Sequence, residues 1–394
     1  MAYGSYRLQF LHISDLHARS GAEKEPWRRR RVLGDAWKRN LETLLQEEGL
    51  VHFVFFTGDA AQSGKPEEYG EATGFLLALC EELSIQFDRV FVVPGNHDID
   101  RDTHTGVWES MRMRLAATTD PLNVSRWMNG IGPPPSGFDN SWKTLIIERQ
   151  HGYRHWVRDL LTRPELAPDG LGYRASVNLP GWDFPIHVIG LDSAWLCGDY
   201  ADATRLLLTE NQIGRLATGD KGDPLAGLRI GLIHHPLHEL ADASRSRRLL
   251  AEYTDLILRG HLHQTEIADW IDPQRRLREL AVGSLYEGGL ADTYGNSCQF
   301  VRIELDSTGR PIEVTVRFRS FSPVGGHWFD DNSIYRESRE GRVTWTFGPP
   351  PAARRPNPFS PWTPRPEHCF GRATLFRRLE AAFDERRSMW LVGD

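Results

Sequence analysis

Five short clusters rich in metal-ligating side chains are spread along the chain, and they constrain its fold more than any other feature. They are Asp15-Leu16-His17, Gly58-Asp59, Gly95-Asn96-His97-Asp98, His234-His235-Pro236 and Gly260-His261-Leu262-His263. Four follow directly on a short apolar run, and the fifth sits on the end of one. A site built this way needs several strands to converge at one edge of a sheet, so the clusters specify fold and chemistry together. Hard and borderline divalent cations take carboxylate, imidazole and amide-oxygen ligands, the side chains gathered here. Asp15 and His17 lie two apart, so at an extended strand end they project to the same side, as do His261 and His263. Gly58 lets the chain turn sharply before Asp59, whose carboxylate can bridge two cations. Asn96 offers a neutral oxygen to an already anionic site, and Pro94-Gly95 shapes its turn.

The apolar runs beside the clusters read as buried strands. Leu8 to Ile13, Val51 to Phe56 and Val90 to Val93 alternate with helical spacing over Trp27 to Leu45 and Glu67 to Leu83. That alternation predicts an α/β layer with right-handed crossovers. From about residue 100 to 180 the pattern changes. Met111 to Leu115 and Trp142 to Leu161 have helical character, and the stretch reads as an insertion over one edge of the fold. Strands resume at Ile186 to Leu191, Leu228 to Ile233, Leu256 to Leu258, Leu277 to Val282, Phe300 to Leu305 and Ile312 to Phe318. This second half predicts another sheet facing the first.

Composition narrows the class. Hydrophobic residues make up 40% and charged residues 25% of 394, an ordinary soluble balance at a length that supports a sizeable core. No apolar run reaches membrane-spanning length, and the N-terminus lacks the apolar stretch of a signal peptide. Four widely spaced cysteines without a Cys-x-x-Cys read as reduced thiols of a cytoplasmic protein. The formal net charge of −6 argues against generic tight binding to a phosphate backbone, while leaving room for a local basic groove. Trp27-Arg28-Arg29-Arg30-Arg31 is such a candidate, although a solvated helix start is the simpler reading.

In order and in type, the five clusters resemble the calcineurin-like metallophosphoesterase superfamily, whose pattern is D-x-H, G-D, G-N-H-D/E, H and G-H-x-H. The likeness covers roughly residues 6 to 320. It implies a four-layer α/β/β/α sandwich of two mixed β-sheets, with the helical insertion over the site. It also implies two divalent metal ions. Asp15, His17, Asp59 and His263 would hold one; Asp59, Asn96, His234 and His261 would hold the other. In the His234-His235 pair, the family's His-x-Pro form favours His234, with His235 as the alternative. His97 would stabilise the transition state and protonate the leaving group, and Asp98 would orient His97 through a hydrogen bond. Manganese is the favoured metal, and iron, zinc and nickel suit the same donors. The two ions would activate a hydroxide and polarise the phosphoryl oxygens.

Around Phe347 the composition shifts. A domain over residues 1–346 is followed by a Pro-rich linker over 347–366. Cys369-Phe370-Gly371-Arg372, a short amphipathic helix and Trp390-Leu391-Val392-Gly393-Asp394 then resemble the opening of a STAND-type NTPase. In that class a strand runs into a Gly-x-x-x-x-Gly-Lys-[Ser/Thr] loop, of which Gly393 would be the first glycine. Residues 367–394 are therefore expected to be the truncated start of such a domain. The layout implies an effector phosphodiesterase or nuclease within a larger protein, with a role in bacterial antiphage defence. Its partners would be a phosphate-ester substrate, nucleic acid or a nucleotide among the candidates, and an oligomer formed through the missing region. The alternatives are a phosphomonoesterase or protein phosphatase, and a regulatory binding module without turnover.

Overall fold

A computed structural model describes residues 6–118, 120–198, 202–286, 288 and 295–347. All lie in the first of two units, Met1–Pro350. The expected linker beyond Phe347 and the NTPase-like segment lie outside the described residues.

The strands, in chain order, begin with β1 (Tyr6–Ile13), β2 (Phe53–Phe56), β3 (Val90–Val92) and β4 (Tyr173–Val177). β5 (Ile186–Gly190), β6 (Leu228–Leu232), β7 (Leu256–Arg259), β8 (Glu266–Ile271) and β9 (Arg276–Ala281) follow. β10 (Ser297–Leu305), β11 (Pro311–Ser322), β12 (His327–Asp330) and β13 (Arg342–Thr346) complete them. Among the described residues they form two mixed sheets. The first runs β12-β11-β10-β1-β2-β3, with β13 also paired to β11; the second runs β4-β5-β6-β7-β9-β8. β1, β2 and β3 are mutually parallel, as are β5, β6, β7 and β9.

The parallel strands are buried on both faces, which is why they read as unbroken apolar runs. Phe53, Val54, Phe55 and Phe56 are all fully buried, and each such side chain contributes roughly 1.5–3 kcal/mol on burial. Alternation sorts the second sheet. Ile186, Val188, Leu256 and Leu258 share one core with the first sheet, while Ile189 and Ile257 enter a second core on the outer face. The two sheets therefore face each other.

Helices α1 (Pro26–Leu33), α2 (Asp35–Glu48) and α3 (Pro66–Leu83) connect the first three strands. The single helix expected over Trp27 to Leu45 is broken at Gly34, whose backbone leaves the helical region at φ −89° and ψ −130°. Within the insertion lie α4 (Thr105–Ala116), α5 (Pro121–Met128), α6 (Ser141–Glu148) and α7 (His151–His155). Trp108, Met111, Val124, Trp127 and Ile146 from these helices fill the second core together with Leu191, Trp195 and Ile213. α8 (Glu210–Ala217) and α9 (Ala243–Tyr253) close that side. No helix among the described residues is long and apolar enough to cross a membrane.

Two expectations are corrected. The insertion read as ending near residue 180 contains β4, the edge strand of the second sheet, paired antiparallel to β5. The strands near Phe300 and Ile312 do not extend the second sheet. β10 returns to pair antiparallel with β1 over Tyr6 to His12. That pairing joins residues nearly three hundred positions apart, and no local pattern encodes it.

Candidate metal centre

Each cluster lies just beyond the C-terminal end of a parallel strand. Asp15 and His17 follow β1, Asp59 follows β2, Asn96 follows β3, His234 follows β6, and His261 and His263 follow β7. This is where open α/β sheets place their sites. Asp15, His17, Asp59, His261 and His263 all adopt left-handed backbone, with φ of 55°, 46°, 56°, 75° and 54°. For non-glycine residues that conformation costs of order 1 kcal/mol or more each, and it concentrates at functional sites. The tightly curled loops aim alternate side chains inward.

The glycines of three clusters interlock the loops. A Cβ at Gly58 would fall within 3.0 Å of the His234 ring, at Gly95 within 3.0 Å of the Asp59 carboxylate, and at Gly260 within 3.0 Å of Asp15. Gly58 also carries φ +106°, as a sharp turn requires. Gly95 has φ −105°, open to any residue. Glycine is therefore needed at Gly95 for room beside Asp59, and the expected turn-shaping role does not account for it.

The ligating atoms fall into two nests. In the first, Nε2 of His263 lies 3.1 Å and Nε2 of His17 lies 3.9 Å from Oδ1 of Asp15. In the second, Oδ1 of Asn96 lies 3.0 Å from Nδ1 of His261 and 3.2 Å from Nε2 of His234, and those two nitrogens are 3.3 Å apart. Asp59 stands between the nests. Its Oδ2 is 3.3 Å from Nε2 of His234, and it offers an oxygen within 4.8 Å of His17 and of Asp15. Asp15, His17, Asp59 and His234 are all buried.

Electrostatics fit a cationic occupant. Burial opposes charge on Asp59, yet the neighbouring histidines, His234 foremost, hold its carboxyl well below the usual range. Burial likewise opposes charge on His234, but Asp59 beside it carries the imidazole up to about 9. Without a metal ion, a buried proton thus serves as the counter-charge that a metal would replace. Burial lowers His17 to about 4, the neutral form that coordinates metal. Nδ1 of His17 is buried with no hydrogen-bond partner among the described residues. The three donor atoms that lie within 3.3 Å of one another in the second nest are of the types a divalent ion takes once His234 has lost its proton.

His235 is placed differently. Its Nδ1 lies 2.8 Å from Oγ of Ser193 and its Nε2 lies 3.6 Å from Sγ of Cys197. Both ring nitrogens thus have other partners, although one lies within 4.8 Å of ligating atoms of His234 and His261. His12, on β1, is held by Thr57 and Gln299, and burial pushes it down to about 3, a structural histidine.

His97 lies beside the first nest, its ring 4.8 Å from that of His17. Its Nδ1 is 2.7 Å from the backbone carbonyl of Gln62, and its backbone N–H donates to Oδ1 of Asp59 at 2.8 Å. The carbonyl accepts only, so Nδ1 carries the proton, and in the neutral ring Nε2 keeps its lone pair. The expected hydrogen bond from Asp98 to His97 is not formed. Oδ2 of Asp98 instead accepts from the backbone N–H groups of Asp59, Ala60 and Gly95, and Oδ1 accepts from Ala61 N–H and the Tyr69 hydroxyl. A short carboxylate next in sequence to His97, on a tight turn, reaches the adjoining loop more easily than the ring beside it. Burial and the Asp59 charge push Asp98 up to about 7, against these donors. Gln62 and Tyr69 thus take roles that no motif marked.

Residues 8–173 match the model of the family described as calcineurin-like phosphoesterase. That stretch is thus similar to a calcineurin-like metallophosphoesterase domain, of a family that generally depends on two metal ions. The structure adds His234, His261 and His263 to it from beyond the matched stretch. A curated relative, the "uncharacterized metallophosphoesterase-like protein YydB" of Bacillus subtilis (strain 168), is 21% identical over 349 residues, 86% of this chain. The chain spans 65% of that relative's length. Among solved structures, purple acid phosphatase PPD1 from yellow lupin (Lupinus luteus) shares 12% identity, with 87% of this chain and 54% of that chain covered at a TM-score of 0.42. Vacuolar protein sorting 29 of Cryptosporidium parvum shares 13%, with 87% and 100% covered at a TM-score of 0.31.

Proposed function

We propose that the chain is a two-metal phosphodiesterase acting on nucleic acid or a nucleotide. The observation that carries the two-metal reading is the pair of ligand nests meeting at Asp59. Asp15, His17, Asp59 and His263 would hold one ion; Asp59, Asn96, His234 and His261 would hold the other. When bound, such a pair supplies Lewis acidity and makes water nucleophilic near neutral pH. The chain's own residues do the rest. The left-handed loops fix the donors before substrate arrives, so little reorganisation remains for the reaction. His97, held through Nδ1–H by the Gln62 carbonyl, presents Nε2 to the departing oxygen and, in its doubly protonated form, donates the Nε2 proton to it, returning to the neutral ring. Asp98 fixes the loops that carry Asp59 and Asn96.

The diester preference and the effector role rest on the likeness of residues 367–394 to the start of a STAND-type NTPase. In that reading the phosphoesterase is the output of a larger switch, with antiphage defence as its setting. Manganese is the favoured ion and the cytoplasm the favoured location. Steady-state rates on bis-p-nitrophenyl phosphate and p-nitrophenyl phosphate test the substrate class. The diester is expected to be hydrolysed faster, in a manganese-dependent manner. The reverse order would make the protein a monoesterase. Hydrolysis of neither, with metal bound, would favour a binding module.

A further inference from the structure

The turn Leu237–Glu239 follows directly on the His234-His235-Pro236 cluster. Glu239 belongs to no ligand motif, yet its Oε2 lies 3.1 Å from Nε2 of His261. The opposite ring nitrogen, Nδ1, is the one that faces Asn96 and His234. The His261 ring therefore bridges a carboxylate and the second nest. An ionised carboxylate only accepts hydrogen bonds, so a neutral His261 must carry its proton on Nε2 and keep the Nδ1 lone pair toward the nest.

The carboxylate is itself held in place. The Glu239 backbone N–H donates to Pro236 O at 3.0 Å, and its carbonyl accepts from Thr204 N–H at 2.7 Å. Leu240 next to it forms a parallel bridge with Leu206, and Ala241 N–H donates to Leu206 O at 2.7 Å. The Glu239 side chain is 15% exposed and that of His261 23%, so water competes only partly for the contact.

We propose that Glu239 is a positioning residue: it orients His261 and fixes the tautomer that presents Nδ1 to the metal of the second nest. This rests on the two-ion reading above. Carboxylates behind metal-bound histidines act this way generally, and losing one weakens metal binding by about 10–100-fold. Glu239→Ala removes the acceptor, whereas Glu239→Gln keeps a carbonyl oxygen at the same reach.

The test is chelator competition on manganese-loaded protein, read as ions retained per chain. Wild type is expected to lose its ions together at high chelator. Glu239→Ala should lose one ion at about 10–100-fold lower chelator and keep the other, and Glu239→Gln should stay close to wild type. Nitrogen chemical shifts of the zinc-loaded wild type should show His261 protonated at Nε2. Equal retention by Glu239→Ala and wild type would overturn the role of Glu239 while leaving the two-ion site standing. Parallel loss of both ions in the Ala and Gln variants would also overturn it, by indicating a general structural role. Wild type that retains no ion at any chelator level would overturn the metal site itself.

Discussion

His97→Ala should lower kcat by about 10²–10⁴, the range for removing a positioned general acid, while metal content stays at the wild-type level. The contacts of His97 explain the separation. Its side chain hydrogen-bonds the Gln62 carbonyl, and its link to Asp59 is made by the backbone N–H, which alanine retains. The ligand nests should therefore survive the substitution. The loss should be smaller for p-nitrophenyl esters, whose leaving group departs without a proton, than for esters with alkoxide leaving groups. Rates on both substrate types, with metal analysis of the same samples, check this. An unchanged kcat on the alkyl ester would remove His97 from proton handling. A parallel loss of metal would make it a structural residue.

The second large effect is on stability and comes from Asp98. Its carboxylate is fully buried and accepts from four backbone N–H groups and the Tyr69 hydroxyl. Asp98→Ala strands all of these donors in a dry interior. Each unsatisfied buried group costs about 1–3 kcal/mol before relaxation, so the folded chain should lose about 4 kcal/mol or more. Asp98→Asn is the sharper comparison. Its single carbonyl oxygen can serve the three amides now bound to Oδ2, but its NH₂ then faces Ala61 N–H. That variant should lose roughly 1–3 kcal/mol. Urea unfolding of metal-free proteins measures both without the contribution of bound ions. A change below about 0.5 kcal/mol for Asp98→Ala, the size of an ordinary surface substitution, would mean that the loops do not depend on this carboxylate.

The division between what the sequence reveals and what it hides follows the range of the forces involved. The ligand clusters are legible because coordination chemistry restricts side-chain type, and because each sits at the end of an apolar run. Strands buried on both faces, such as Phe53–Phe56, are legible because burial writes them as continuous apolar runs. β8, none of whose residues is buried, carries no such mark. The return of β10 to β1 depends on pairing residues nearly three hundred positions apart, such as Tyr6 with Leu305, and local patterning contains none of it. The partners of Asp98 are hidden because adjacency to His97 in sequence implies contact only when the turn permits it, and here the carboxylate reaches the Asp59–Ala61 loop. Gln62 and Glu239 act through histidines, so neither residue type nor spacing distinguishes them from surface polar residues. Gly95 stands out in its motif, but the reason for it, the Asp59 carboxylate at its Cα, becomes visible only when two loops are brought together.

A two-metal centre requires both nests to hold an ion. Elemental analysis of chain purified in the presence of manganese, after removal of loosely held ions, should give close to two transition-metal ions per chain. A Asp59→Asn variant, which weakens the shared ligand, should hold fewer. Protein that is folded, with its loops intact by proteolysis, and that binds no metal would contradict the central claim.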